Sequence, residues 1–135
     1  MLKTRSPRLK ITPDAKRKLK ICVGVLESKQ MKDIVILNLV GLFPLSDFFI
    51  ISTYQSLPQR DSVISELLPK IKHNGYKVLR VEGNPDGKWT VVDIDDTVLH
   101  LFDSEAREYY NLEGLWFEAK RVDTKTVKRW RVKIK

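Results

Sequence analysis

Apolar residues recur along this chain with two different periods, and the switches between them mark out the elements. After Thr12-Pro13, the positions Leu19, Cys22, Val23 and Leu26 follow helical spacing. Thr12 suits an N-cap, and Pro13 suits the first helical position, where its missing N–H is no loss. The spacing predicts a helix ending near Ser28–Gln30. Asp33 to Leu39 and Asp47 to Thr53 are short runs rich in β-branched and aromatic residues, read as two strands. Gly41 to Pro44 turns the chain between them, so the pair reads as a hairpin. Ser56 then caps a second helix, with Pro58 in its first turn and Val63, Ile64, Leu67, Leu68 and Ile71 along one face. Pro69 lacks a backbone donor, so the last turn is expected to kink or shorten. Asn74-Gly75 closes the helix.

Three further strands follow, over Tyr76 to Val81, Trp89 to Asp93 and Thr97 to Phe102. The gaps between them are short, which predicts an antiparallel meander. Glu82 to Lys88 reads as a turn around Gly-Asn-Pro-Asp-Gly, and Asp95-Asp96 as another. Asp103 or Ser104 opens a short helix reaching Tyr109, with acids in its first turn. In the tail, Val122, Thr124, Thr126, Trp130, Val132 and Ile134 alternate with mostly charged residues, Lys128 being the exception on the apolar side. That pattern reads as a basic sixth strand on a sheet edge, or as an arm that orders on a partner. The fold class expected is α/β: a single domain with a mixed sheet of about five strands and flanking helices. Its expected span is 12–119, between basic extensions at 1–11 and 120–135.

Charge sharpens this division. The net charge of +8 over 135 residues is unevenly distributed. Residues 1–20 carry eight Lys/Arg against Asp14, and residues 120–135 carry eight against Asp123. The intervening stretch is net acidic, by six charges. An acidic domain with two basic ends suits a partner that offers both a basic protein surface and a phosphate backbone. No apolar run approaches the roughly 18–20 residues that span a bilayer, and the N-terminus lacks the apolar stretch of a secretory signal. A cytoplasmic location is expected. The absence of acid before Asp14 leaves a transit peptide open. Cys22 is the single cysteine, so no internal disulfide forms, and its neighbours Ile21 and Val23 mark it as a buried apolar residue.

Two chemistries compete for the remaining residues. Asp93, Asp95 and Asp96 invite a magnesium site, and with it a nucleotidyltransferase. The Gly-rich phosphate loop which that reaction needs is missing. His100, between Leu99 and Leu101, reads as a structural histidine, and no His/Cys spacing suggests zinc. No catalytic residue and no cofactor is therefore expected. Between His100 and Trp116, by contrast, aromatic residues and Arg crowd together, the composition that anchors protein interfaces. Some of Trp89, Tyr109, Tyr110, Trp116 and Phe117 belong to the core. The rest would form a patch beside acids, suited to a basic protein partner. The partner-binding candidates are Glu82, Trp89, Asp93, Tyr109, Tyr110 and Glu113. Lys3, Arg5, Arg8, Lys128, Arg129 and Arg131 are candidates for RNA contact, and an RNA-binding module acting through the tails is a further alternative.

The order of several short blocks resembles the ribosomal silencing factor (RsfS, or Iojap) family. These are Asp33-Ile34-Val35-Ile36-Leu37, Ser46-Asp47-Phe48-Phe49-Ile50-Ile51, Glu82-Gly83 and Trp89 through Asp93, then Asp96, Val98, His100 and Phe102. The most specific block is Arg107-Glu108-Tyr109-Tyr110-Asn111-Leu112-Glu113-Gly114-Leu115-Trp116. The resemblance implies a fold related to nucleotidyltransferases without their catalytic motif. It further implies a non-enzymatic factor that binds large-subunit ribosomal protein fourteen, blocks joining of the small subunit, and represses translation. Two departures stand out. Asp95 occupies a position where the family usually has Gly, and Gln59-Arg60-Asp61 matches the family's Arg-Gln only loosely.

Overall fold

Thr12 accepts a hydrogen bond from the Ala15 amide at 3.2 Å and opens helix α1 (Pro13–Ser28), as its sequence predicts. The computed structural model describes residues 11–83 and 86–135. Lys3, Arg5 and Arg8 lie outside the described residues. After α1 come β1 (Lys32–Asn38), β2 (Phe48–Thr53), α2 (Leu57–His73), β3 (Arg80–Gly83), β4 (Trp89–Ile94) and β5 (Thr97–Phe102). Then follow α3 (Ser104–Tyr110), α4 (Leu112–Leu115), β6 (Lys120–Val122) and α5 (Thr124–Arg129).

The six strands form one mixed sheet in the order β3-β4-β5-β2-β1-β6. β1 and β2 make the expected antiparallel pair, and β3, β4 and β5 make the expected meander. The two units join through β2 and β5, which run parallel, with Ile51 opposite His100. A parallel pair needs a long crossover, and α2 with the meander supplies it.

Alternation along the strands sends side chains to two separate cores. On one face Ile36, Phe48, Ile50, Val92, Ile94, Leu99 and Leu101 pack with α1, α2 and α5. On the other, Leu37, Phe49, Ile51 and Phe102 pack with Ala106, and Leu112 and Trp116 lie against them. Cys22 is fully buried in the first core, and burial pushes its thiol up to about 12.

Three expectations need correction. Helix α2 is not shortened by Pro69 and runs on to His73. Buried Ile71 holds its last turn, and Asn74 closes it with backbone and side-chain bonds to the Lys70 carbonyl. The third strand begins at Arg80, not Tyr76. Tyr76 and Val78 pack against the helix-side core instead of joining the ladder.

The tail is the largest correction. Only Lys120–Val122 is strand, paired antiparallel with β1, and it raises the expected five strands to six. Asp123 then caps α5, accepting from the Lys125 amide at 2.8 Å. Val127 is fully buried and Trp130 packs on the same core. The following extended segment is tied to α1 and α2. Lys20 donates to the Trp130 carbonyl, Arg17 to the Lys133 carbonyl, and Lys135 to the Asn74 side chain. The tail is thus folded onto the domain without a partner, because cations of α1 satisfy its carbonyls.

Candidate functional site

The face of the sheet opposite α1 and α2 is unevenly covered. Helices α3 and α4 lie over one part of it, and at its β3–β4 edge Tyr110 of α3 meets Trp89 of β4. Register places Trp89, Val91 and Asp93 of β4 on this face, opposite Phe102, His100 and Val98 of β5. On the other side of β4, Glu82 faces Val91 and Arg80 faces Asp93. The residues Val81, Glu82, Gly83, Trp89 and Val91 line a shallow concavity of about 550 Å³.

Trp89 forms the inner wall. Its ring stacks on buried Phe102 at 5.0 Å between centroids and meets Tyr110 at 4.5 Å. Its indole N–H donates to His100 Nδ1 at 3.2 Å. Helix α3 delivers Tyr110. Asp103 caps it, accepting from the Ala106 amide at 2.7 Å, and Asn111 ends it in the left-handed region at φ 46°. Tyr109 sits edge-on to Tyr110 at 5.1 Å. Tyr109 is 81% exposed and Tyr110 44%, so a continuous aromatic ridge runs from the core to solvent.

Glu82, Trp89, Asp93, Tyr109 and Tyr110 therefore come together around one surface. Glu113 has a different role. Its two oxygens take a fork of bonds from Arg107 at 3.2 and 3.0 Å, while Arg107 also reaches Thr53 Oγ1 at 2.9 Å. At 21% side-chain exposure, Glu113 braces α4 and α3 against β2 rather than offering a free charge.

Arg80 was missing from the candidates. It pairs with Glu82 at 3.1 Å and Asp93 at 3.5 Å, and so holds two acids of the rim in place. The period-two pattern carried that signal, since Arg80 and Glu82 share a strand face. Leu42, Leu45 and Leu115, which were not among the candidates, are exposed, as is Phe117. Trp116, by contrast, leans on Phe43 and Phe49 as part of the second core. Of the tail candidates, Arg129 and Arg131 are exposed, and Lys128 pairs with Glu27 at 3.1 Å.

The three aspartates considered for magnesium are separated by the fold. Asp93 turns to Arg80 on the open face. Asp96 accepts from the buried ammonium of Lys18 at 2.6 Å on the helix side. Asp95 is exposed, with φ at 61°, a left-handed turn that explains why glycine suits this position. Among the described residues no three His, Cys, Asp or Glu side chains are placed to share an ion.

His100 is buried beside Phe49, whose ring centroid lies 4.4 Å away. Its Nδ1 accepts from Trp89, so its hydrogen belongs on Nε2, a buried atom with no partner. Burial lowers its pKa to about 4. Above the ordinary value of about 6.5 the ring is neutral in both folded and unfolded chains, and it adds no pH dependence. Between that value and about 4 the unfolded chain binds the proton and the folded one resists it. Stability is thus expected to fall with pH across this window, by up to about 1.4 kcal/mol per pH unit from this residue. Thermal melts of the native and His100→Gln proteins from neutral to acid pH check this. Parallel loss in both would remove His100 as the cause.

Comparison with known proteins decides the family. Residues 12–134 match the family described as ribosomal silencing factor during starvation. This chain belongs to the ribosomal silencing factor family. The ribosomal silencing factor of Bacillus subtilis is 34% identical over 105 residues, covering 78% of this chain and 89% of that protein. The factor of Halalkalibacterium halodurans is 33% identical over 109 residues, covering 81% of this chain and 93% of that protein. A solved structure from Chromobacterium violaceum superposes with a TM-score of 0.69 at 31% identity, covering 74% of this chain and 83% of that one. The silencing-factor match includes β6 and α5, so both lie within the family's span. The protein is accordingly a ribosome-associated regulator with a mixed α/β fold. No helix among the described residues is long and apolar enough to cross a membrane.

Proposed function

We propose that this silencing factor binds large-subunit ribosomal protein fourteen through the open β3–β4 face, and that its bulk there prevents the small subunit from joining. The reaction it performs is binding alone, with no substrate turned over. The observation that carries this is the ridge of Trp89, Tyr110 and Tyr109 beside a concavity lined by Glu82, with Asp93 paired to Arg80 on the same face. Tyr and Trp are the residues most often found at interface hot spots, because they combine large apolar area with few rotatable bonds. Acids at the rim suit a basic ribosomal protein, and they repel bare phosphate. A mouse relative, 28% identical over 105 residues, is named for mitochondrial assembly of the ribosomal large subunit, which agrees with a large-subunit partner.

Titration calorimetry with purified ribosomal protein fourteen tests this directly. Saturable one-to-one binding is expected, with a negative heat-capacity change from apolar burial. Absence of binding at any workable concentration would overturn the assignment of partner. The rim should act differently from the ridge. Glu82 is exposed and already paired with Arg80, so Glu82→Gln is expected to slow association more than it speeds dissociation. Surface plasmon resonance at low and high salt separates the two rates. A change confined to dissociation would show Glu82 to be a buried contact.

A further inference from the structure

The opposite end of the sheet carries a second surface, which the aromatic site does not use. Strand β6 closes the sheet order, and among the described residues its only strand neighbour is β1. Beside it, a groove of about 560 Å³ runs between β6 and the start of α1. Lys16, Asn38, Lys120, Arg121 and Trp130 line it, with Ile11 at one end. The Lys16 ammonium lies 5.4 Å from the centroid of the Trp130 ring, so ring and cation hold each other along the wall. Lys120 and Arg121 are exposed and have no carboxylate partner among the described residues. Asp123 is the one acid on the lining, and its carboxylate already accepts from the Lys125 amide.

We infer that this groove is an RNA-binding site which tracks a phosphate backbone. Its chemistry selects an anionic occupant, since its lining holds Lys16, Lys120 and Arg121 against the single acid Asp123. Residues 1–10 hold Lys3, Arg5, Arg8 and Lys10 and no acid, so they add no negative charge that could compete for it. A lipid surface fits poorly, because Ile134, at 38% exposure, is the only large apolar residue exposed in the tail. Lys16 and Lys120 present ammonium donors and Asn38 an amide along an open trough, while the strand register turns Arg121 to the other face of the β6 edge. That is the donor set for sequence-independent contact with phosphate and ribose.

The position adds a geometric consequence. β6 lies five strand intervals from β3, which at about 4.8 Å each puts the two surfaces roughly 24 Å apart. A protein contact at one edge and an RNA contact at the other can therefore be made at once, without competing. Such an RNA site goes beyond the protein-partner reading and stands or falls separately from it.

The test uses the full chain and a fluorescein-labelled single-stranded RNA of about 15 nucleotides, a length on the scale of single-strand binding sites. Fluorescence anisotropy across a series of salt concentrations gives the affinity and its slope. The native protein should bind, with affinity falling steeply as salt rises. A Lys120→Glu, Arg121→Glu double variant should lose tenfold or more in affinity. Its salt slope should shrink by roughly 0.7 for each phosphate that the variant no longer neutralises. Lys16→Gln, on a different element, should weaken binding in the same sense, and a circular-dichroism melt confirms that each variant is folded. Tyr110→Ala should leave RNA affinity unchanged. The inference is overturned if native protein does not bind RNA, or if folded variants at all three basic positions bind it with native affinity and slope. Binding to phosphatidylserine vesicles in place of RNA would overturn it equally.

Discussion

Replacing Tyr110 with alanine is expected to cost about 2–4 kcal/mol of binding to large-subunit ribosomal protein fourteen while leaving the fold intact. The ring is 44% exposed in the free protein, yet it rests on Trp89 at 4.5 Å and on Phe102 at 6.2 Å. It is therefore held ready, and little side-chain freedom is lost when a partner covers it. Truncation removes the outer half of the ridge and leaves Trp89 behind it. Tyr109 makes a useful comparison, being more exposed and backed by Tyr110 alone among the described rings. Calorimetry on Tyr110→Ala, with a melt to confirm folding, measures the effect. A folded variant with native affinity would place the interface elsewhere, and the exposed Leu42, Leu45, Leu115 and Phe117 would be the next positions to probe.

Phe102→Ala is expected to have the largest effect on stability, about 3–5 kcal/mol. Phe102 is fully buried at the end of β5 and carries Trp89 stacked upon it. Its removal takes away the transfer energy of the ring and leaves a cavity under the site. Two consequences should appear together. Urea unfolding should shift to a lower midpoint with an unchanged slope, and partner binding should weaken because Trp89 and Tyr110 lose their support. Near-native stability in that variant would mean that the neighbouring side chains close the gap.

Much of the architecture was legible because its signals are local. Thr12 and Ser56 cap helices with their own hydroxyls, and β5 begins and ends where its apolar pattern does. The tail was misread because Val122, Thr124 and Thr126 share a parity with Trp130 and Ile134. Val127 lies on the other parity, and it is the residue that the core takes. Asp123 as a cap and the Val127–Trp130 spacing were the helical signals present. The parallel pairing of β2 with β5 leaves no local trace, since a crossover through α2 creates it. At the site, Glu82, Trp89, Asp93, Tyr109 and Tyr110 could be chosen by residue type. What residue type cannot show is which charges are already engaged: Glu113 is paired with Arg107, and Arg80, which was overlooked, pairs with Glu82 and Asp93.

The fold also separates the two surfaces proposed to bind protein and RNA. The acidic middle of the chain becomes a sheet edge with aromatic anchors, and the basic tail becomes a groove at the other edge. Lys18 links the halves from beneath. Its buried ammonium reaches Asp96 in the β4–β5 turn, tying α1 to the meander that carries the aromatic face. Removing either partner would strand a charge with little access to water.

The most direct test of the central claim is sedimentation of purified large subunits with this protein, with and without added small subunits. The account predicts that the protein travels with the large subunit and that formation of the complete ribosome falls as occupancy rises, with no nucleotide consumed. Tyr110→Ala should lose both effects together. Complete ribosomes forming at undiminished yield on large subunits saturated with the protein would contradict it.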